Sequence, residues 1–374
     1  MIRTGLVLLL LIAAALPGQA QQPVSQDWLD STVEDVRETH DLIALGAAVI
    51  GIDGDPIVAV SGTVTIKSDT PVSPQDAWHI GSNTKALTAL LYARLVEDGQ
   101  AEWGATLNEL FPDMTDMDAG WSDVTVEDLF AHRSGVGQTG PFWIMARRAD
   151  DASVREQRLK TTQDRLRKPP GEIGEFEYSN LNYIIAGAAI ETLLDMDWED
   201  AMRAYVLNVP GGEWSEGWGF GPPQTGLQGH GPGMFGGLVP KGRGVGADNP
   251  QALGPAGTLH APLASHVRLL REFLRDDSEL VPVSVREKLF TPHPDEAATY
   301  AMGWGVSDRS DIGRAYEHAG SNTMWLSRVM IAPELGIALV IDTNQYSDPA
   351  VDATAQLRDE IISHVQKGRE VSSK

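Results

Sequence analysis

Cysteine is absent from the 374-residue chain, which excludes disulfides, cysteine-based metal sites and lipid attachment at an N-terminal cysteine. Basic residues are scarce: 29 Lys and Arg stand against 52 Asp and Glu, a formal net charge of −23. Such a surface disfavours nucleic acid and anionic membranes and promotes solubility. Long apolar runs are missing too. The run Leu6 to Leu16, preceded by Arg3 and followed by Pro17-Gly18-Gln19-Ala20, falls well short of the roughly 20 residues that span a bilayer. It reads as a secretory signal peptide over residues 1–20, cleaved after Ala20, and the product is expected in the periplasm or outside the cell. No Gly-x-Ser-x-Gly occurs, which disfavours a nucleophile-elbow hydrolase. The nine histidines (His40, His79, His132, His230, His260, His266, His293, His318 and His364) show no His-Glu-x-x-His or comparable spacing. No metal and no cofactor is therefore assigned.

With 42% hydrophobic residues the chain can bury a large core. Ser25 to His40 has the pattern of a first helix. Strands are expected over Leu45–Ile52 and Ile57–Ile66, flanking the tight turn Asp53-Gly54-Asp55-Pro56. From about 100 to 250 the pattern is helices and loops: Thr125–His132 is a short helix ending in a turn at His132 and Ser134, and Ser153 with Glu156 forms a capping box. Between Gly211 and Asn249 lie 14 of the 38 glycines, interspersed with Trp214, Trp218, Phe220 and Phe235. This long loop either packs over a cleft or makes a surface excursion, and composition does not choose between them. A helix over Ala264–Leu274, strands over Arg314–His318, Met324–Ala332 and Ile337–Thr343, and a helix over Asp348–Val365 complete the pattern. The expected fold is therefore α+β: an antiparallel sheet flanked by helices and assembled from both termini (21–80 and 250–374), with a mostly helical insert over 81–249.

Within His79-Ile80-Gly81-Ser82-Asn83-Thr84-Lys85, the pair Ser82 and Lys85 opens a run, Lys85 to Val96, that is apolar on nearly every side and stops near Gly99. At i and i+3 the two share a helix face. A serine hydroxyl needs a base within hydrogen-bonding reach, and a lysine desolvated at a helix start can be that base because burial lowers its pKa. Such a serine can equally be a helix cap, and chance supplies about one Ser-x-x-Lys in 300 residues. What raises this one is its company: Tyr178-Ser179-Asn180 and His318-Ala319-Gly320.

In that order and spacing the three motifs resemble the class C β-lactamase-related serine hydrolases, a superfamily of secreted DD-peptidases, D-amino-acid peptidases, esterases and β-lactamases. The resemblance runs from about Leu45 to Ile362. It implies that Ser82 is the acylated nucleophile and Lys85 takes or shares its proton. Tyr178, its phenolate favoured by the Lys85 ammonium, is the implied partner base. The implied substrate-binding set is Asn180, His318, Gly320 and Ser321. In it the Ser82 and Ser321 amides form an oxyanion hole, and Gly320 lets the substrate backbone approach its strand. His318 stands where β-lactamases of this pattern carry Lys, which resembles the peptidases and esterases instead. An imidazole there is expected to gain charge toward a substrate carboxylate as pH falls to 6. The expected function is an exported serine hydrolase acting through an acyl-enzyme on a small amide or ester. The alternatives are a carboxylesterase, a β-lactamase, or a catalytically silent homologue that binds cell wall or protein.

Overall fold

The computed structural model describes residues 22–234 and 236–372. The expected signal peptide with its cleavage point, and Phe235, lie outside the described residues.

A six-stranded antiparallel sheet forms the centre. Its strands, numbered here in chain order, are β1 (Ala44–Gly51), β2 (Ile57–Gly62), β3 (Gly305–Arg309), β4 (Gly313–Ser321), β5 (Leu326–Ala332) and β6 (Ile337–Thr343). They lie in the order β2-β1-β6-β5-β4-β3, so the two ends of the chain meet where β1 pairs with β6, Ala47 opposite Ile341. Near-continuous apolar runs make β1 and β6 buried on both faces. The fold class expected from the sequence is thus the one observed.

Two departures have local causes. β2 ends at Gly62 rather than Ile66, because Gly62 takes φ +101° and a Cβ there would stand 2.1 Å from the Ile43 carbonyl oxygen. β3, short and half-buried, gave no clear alternation and was not expected.

Helices cover both sheet faces. On one, Gln26–Thr39, capped by Ser25, and Asp348–Ser372 bury Leu29, Val33, Leu357 and Ile361 against Leu45, Leu339 and Ile341. On the other face the core includes the two helices that carry the chemistry, Thr84–Glu97 and Asn180–Leu194. Both are apolar on every side, as helices enclosed by protein must be. In Thr84–Glu97 the side chains of Leu87, Leu90, Leu91 and Leu95 are all buried, each contributing about 2 kcal/mol by the usual area relation.

The glycine-rich stretch packs. Trp214 is buried and donates from Nε1 to the Val206 carbonyl at 2.9 Å. His230, also buried, accepts the Ile66 N–H at Nε2 (3.1 Å) and bonds the Asn344 carbonyl through Nδ1 (2.9 Å).

Candidate active site

Gly81–Asn83 forms a single 3₁₀ turn leading directly into the helix Thr84–Glu97. Asn83 precedes that helix with no side-chain cap bond, so Ser82 is not spent on capping. It is half-buried at the edge of the fold, whereas Lys85, in the first helical turn, is fully buried.

Lys85 Nζ has three oxygens around it: Ser82 Oγ at 3.0 Å, Asn180 Oδ1 at 2.8 Å and the Ala256 carbonyl at 2.7 Å. A carbonyl and an amide oxygen can only accept, so two of these contacts require N–H donation. The third fits either protonation state, with an ammonium donating to Ser82 or a neutral amine accepting its O–H. Burial pushes Lys85 well below the usual lysine range. The shift makes the neutral amine, whose lone pair can take the Ser82 proton, easier to reach than at an ordinary lysine.

Asn180 is placed by Ser179, whose hydroxyl caps the helix Asn180–Leu194 by accepting the Leu181 N–H at 3.2 Å. Tyr178, just before the cap, has its ring centroid 5.0 Å from Lys85 Nζ. The reading of Tyr178 as a phenolate favoured by the Lys85 ammonium is corrected here. Burial pushes this phenol up to about 12, and its hydrogen bond with Ser82 pulls the other way without compensating. Tyr178 stands over Ser82 as a protonated phenol, suited to pass a proton, and Lys85 is the group poised to receive one.

His318 is corrected too. It is buried, with Nε2 3.0 Å from the Tyr300 hydroxyl and Nδ1 3.2 Å from Asn83 Oδ1. Burial first, and then the neighbouring Lys85 charge, pull its imidazole down to about 3. No charge appears on it between pH 6 and 8, and both ring nitrogens are engaged within the protein.

Gly320 is required by the protein's own packing, independently of any substrate. A Cβ on it would stand 2.0 Å from the Ile80 carbonyl oxygen and 2.7 Å from the Ser82 nitrogen. It is the nucleophile turn that lies this close to β4. Gly81, at φ +52°, faces it from the other side, where a Cβ would come 2.4 Å from the Ser321 nitrogen. The contact brings the Ser82 and Ser321 segments together.

Of the seven candidates, Ser82, Lys85, Tyr178 and Asn180 are joined by direct contacts, Gly320 and Ser321 pack on the Ser82 turn, and His318 lies beneath. Several supporting residues were missed. Asn83 bonds His318 and, through Nδ2, Ser327 Oγ at 2.8 Å, tying the turn to β5. His132, in the left-handed region at φ +60°, ends its short helix as expected but also packs its ring, tilted by 40°, with its centroid 4.3 Å from that of Tyr178. Its Nδ1 accepts the Ser179 N–H at 3.2 Å. Tyr300 and the Ala256 carbonyl had no local signal at all, being brought in by chain distant in sequence.

A cavity of about 770 Å³ is lined by Arg148, Phe220, Asp248, Asn249 and Thr258 among others, and none of the seven candidates lines it. Among the described residues no group of His, Asp and Glu could hold a metal ion. No helix among them is long and apolar enough to cross a membrane.

The family model described as Beta-lactamase matches residues 29–362. Among curated proteins the chain is similar to an unguisins hydrolase of Aspergillus campestris, 28% identical over 191 residues, or 49% of this chain and 35% of that protein. It is also similar to penicillin-binding protein 4 of Amycolatopsis lactamdurans, 27% identical over 172 residues, or 45% of this chain and 43% of that one. It therefore spans less than half the length of either relative. Among solved structures, a D-amino acid amidase from Ochrobactrum anthropi SV3 superposes with a TM-score of 0.72 at 18% identity, covering 91% of this chain and 99% of that one. A class C β-lactamase from Rhodobacter sphaeroides does so with a TM-score of 0.69 at 19% identity, covering 89% and 99%.

Proposed function

The chain belongs to the Beta-lactamase family, and from that membership we propose that it is an exported serine hydrolase acting through an acyl-enzyme on a small amide or ester. The observation that carries the reading is the set of contacts at Lys85 Nζ: two acceptors hold its N–H groups and the third contact is Ser82 Oγ.

The chemistry follows from these positions. As Ser82 Oγ bonds to the acyl carbon, its proton passes to Lys85 Nζ. The ammonium so formed has three acceptors, Asn180 Oδ1, the Ala256 carbonyl and the former hydroxyl oxygen. Backbone N–H groups at Ser82 and Ser321 face the developing oxyanion. Tyr178 donates its phenolic proton to the departing amine or alkoxide and is reprotonated from Lys85, so the proton taken from Ser82 leaves with the first product. Water then adds to the acyl carbon as it gives one proton to Lys85, the bond from that carbon to Ser82 Oγ breaks, the acid departs, and the proton taken from water passes to Ser82 Oγ.

His318 bears on substrate preference. The family's β-lactamases carry a cation at that position, whereas this imidazole is buried and uncharged. Neutral esters and amides are the favoured class, and efficient β-lactam hydrolysis is disfavoured. The similar Aspergillus campestris protein is a hydrolase and the similar Ochrobactrum anthropi protein is an amidase, which supports an amide among the substrates of this chain.

The test is covalent labelling by a fluorophosphonate read by intact-protein mass spectrometry, with p-nitrophenyl esters, D-amino-acid anilides, acyl-D-Ala-D-Ala peptides and nitrocefin as a substrate panel. One adduct on the wild type and none on Ser82→Ala is expected, with the fold retained, since the change removes one oxygen that caps nothing. An adduct persisting on Ser82→Ala removes the nucleophile assignment, and a wild type inert to every probe favours the binding homologue.

A further inference from the structure

The glycine-rich stretch ends at Asp248, a buried carboxylate that the mechanism above does not use. Its Oδ2 lies 2.9 Å from His79 Nε2. Its Oδ1 accepts from Asn322 Nδ2 at 2.8 Å and from the Asn249 N–H at 2.7 Å. Each partner leads to the site by one covalent or hydrogen-bonded step. His79 accepts the Gly81 N–H at Nδ1, 3.1 Å away. An accepting Nδ1 puts the ring proton on Nε2, where it is donated to Asp248, so the carboxylate selects the tautomer that can hold Gly81. Gly81 is the left-handed residue immediately before Ser82. Asn322 immediately follows Ser321 and accepts the Met324 N–H at 3.2 Å, which fixes the end of β4. Asn249 donates from Nδ2 to the Gly257 carbonyl at 3.0 Å, and Gly257 packs on the nucleophile turn, where a Cβ would lie 3.6 Å from the Ser82 nitrogen.

One carboxylate thus ties together the two backbone segments that the proposed mechanism assigns to the oxyanion hole. Those segments are 239 residues apart in sequence, from Ser82 to Ser321, and belong to different secondary-structure elements. An oxyanion hole works only when both donors are held about 2.7–3.1 Å from the position the oxyanion will occupy. We propose that Asp248 is a positioning residue for acyl transfer: through His79 and Asn322 it sets the separation of the Ser82 and Ser321 amides. The inference rests on the serine-hydrolase reading and adds to it a role for the stretch whose composition left two readings open.

A reversed hydrogen bond tests it. In Asp248→Asn the side chain has one acceptor oxygen and an NH₂, so it cannot accept from both His79 and Asn322. Adding Asn322→Asp restores the bonds to His79 and to residue 322 with one direction inverted, while the Asn249 N–H, which Oδ1 accepts in the wild type, meets the amide nitrogen in both variants and so is lost equally from each. The amide at 248 donates to the carboxylate at 322 while its oxygen accepts from His79, and the second oxygen at 322 still accepts the Met324 N–H. Three quantities are read on the full chain: the fluorophosphonate acylation rate, the KM and kcat of an ester that the wild type turns over, and deuterium exchange of the peptide spanning 77–84. Asp248→Asn is expected to slow acylation about 10- to 100-fold, part of the loss seen when an oxyanion donor is removed outright. The loss should fall in kcat with KM little changed, and exchange over 77–84 should quicken. The double variant should acylate faster than the single one, short of the wild type by the Asn249 bond that neither variant makes. A merely structural role would lower thermal stability without a kcat-specific loss that the inverted bond rescues.

Wild-type acylation and exchange in Asp248→Asn overturn the proposal, as does a folded double variant that stays as slow as the single one. If Asp248→Asn does not fold, Asn322→Ala, which breaks the link on the Ser321 side alone, is read with the same expectation and the same overturning result. A wild type that never labels overturns the hydrolase reading itself, an outcome distinct from a labelled wild type with an unaffected variant.

Discussion

Asp342→Asn should stabilise the protein by an amount that grows with pH. Asp342 sits in β6, opposite Ser327 of β5 and Gly46 of β1, with its side chain buried. Burial pushes its carboxyl from the ordinary value of 3.8 up to about 8, and the Ser327 hydroxyl pulls only partly back. In the folded state the group therefore keeps its proton to about pH 8, whereas in the unfolded chain it loses the proton near pH 4. Between those values the native state binds more protons than the unfolded state, so stability falls as pH rises. The penalty is absent below pH 4 and complete above pH 8. A displacement of about four units at 1.36 kcal/mol each sets its ceiling at about 6 kcal/mol. Asn keeps the volume and leaves an amide that costs about 1–3 kcal/mol where a partner is missing, so the net gain above pH 8 is about 3 kcal/mol or more. At about 2 °C per kcal/mol for a chain of this size, Tm should rise by about 6 °C at pH 8.5, with no gain or a small loss at pH 4.5. Thermal and urea unfolding of both proteins at pH 4.5, 6, 7 and 8.5 measures this. A Tm difference independent of pH would refute the argument, because an uncharged or already ionised Asp342 supplies no linkage.

Lys85→Ala and Tyr178→Phe should each slow acylation by at least about 10²-fold, and the double variant should lose far less than the product, since both groups serve one proton path. Multiplicative losses in pre-steady-state labelling would contradict the shared path. Because desolvation lowers Lys85, the acylation rate should rise with pH to a plateau reached below the ordinary lysine value, and Lys85→Ala should abolish that limb. His318 should leave the ratio of KM values for matched carboxylate-bearing and neutral esters flat from pH 6 to 8, because its imidazole stays uncharged there. His318→Lys should lower Tm rather than improve carboxylate recognition, since it buries an ammonium beside Lys85. A pH-dependent ratio that vanishes in His318→Asn would reinstate the charge-sensing role.

Local rules carried much of the fold. The apolar surround of Thr84–Glu97, the Ser153–Glu156 capping box and the hairpin over Asp53–Pro56 are short-range patterns. Each was legible because turns, caps and periodicity depend on neighbouring residues. The motif order Ser82-Lys85, Tyr178-Asn180, His318-Gly320 pointed to the family for the same reason, since each motif is a run of three or four neighbouring residues. The lowered pKa of Lys85 was legible too, but the charge states of its neighbours were not: whether Tyr178 is a phenol and His318 an uncharged imidazole depends on how completely water is removed, and the groups that remove it come from far along the chain. Ala256 meets Lys85 across 171 residues, Asn83 meets His318 across 235, and Asp248 meets His79 across 169. Spacing assigns a residue to a face of its helix or strand. Desolvation and the approach of a distant oxygen, which set its pKa and its hydrogen-bond direction, exist only once the two ends of the chain have closed the sheet around the nucleophile turn.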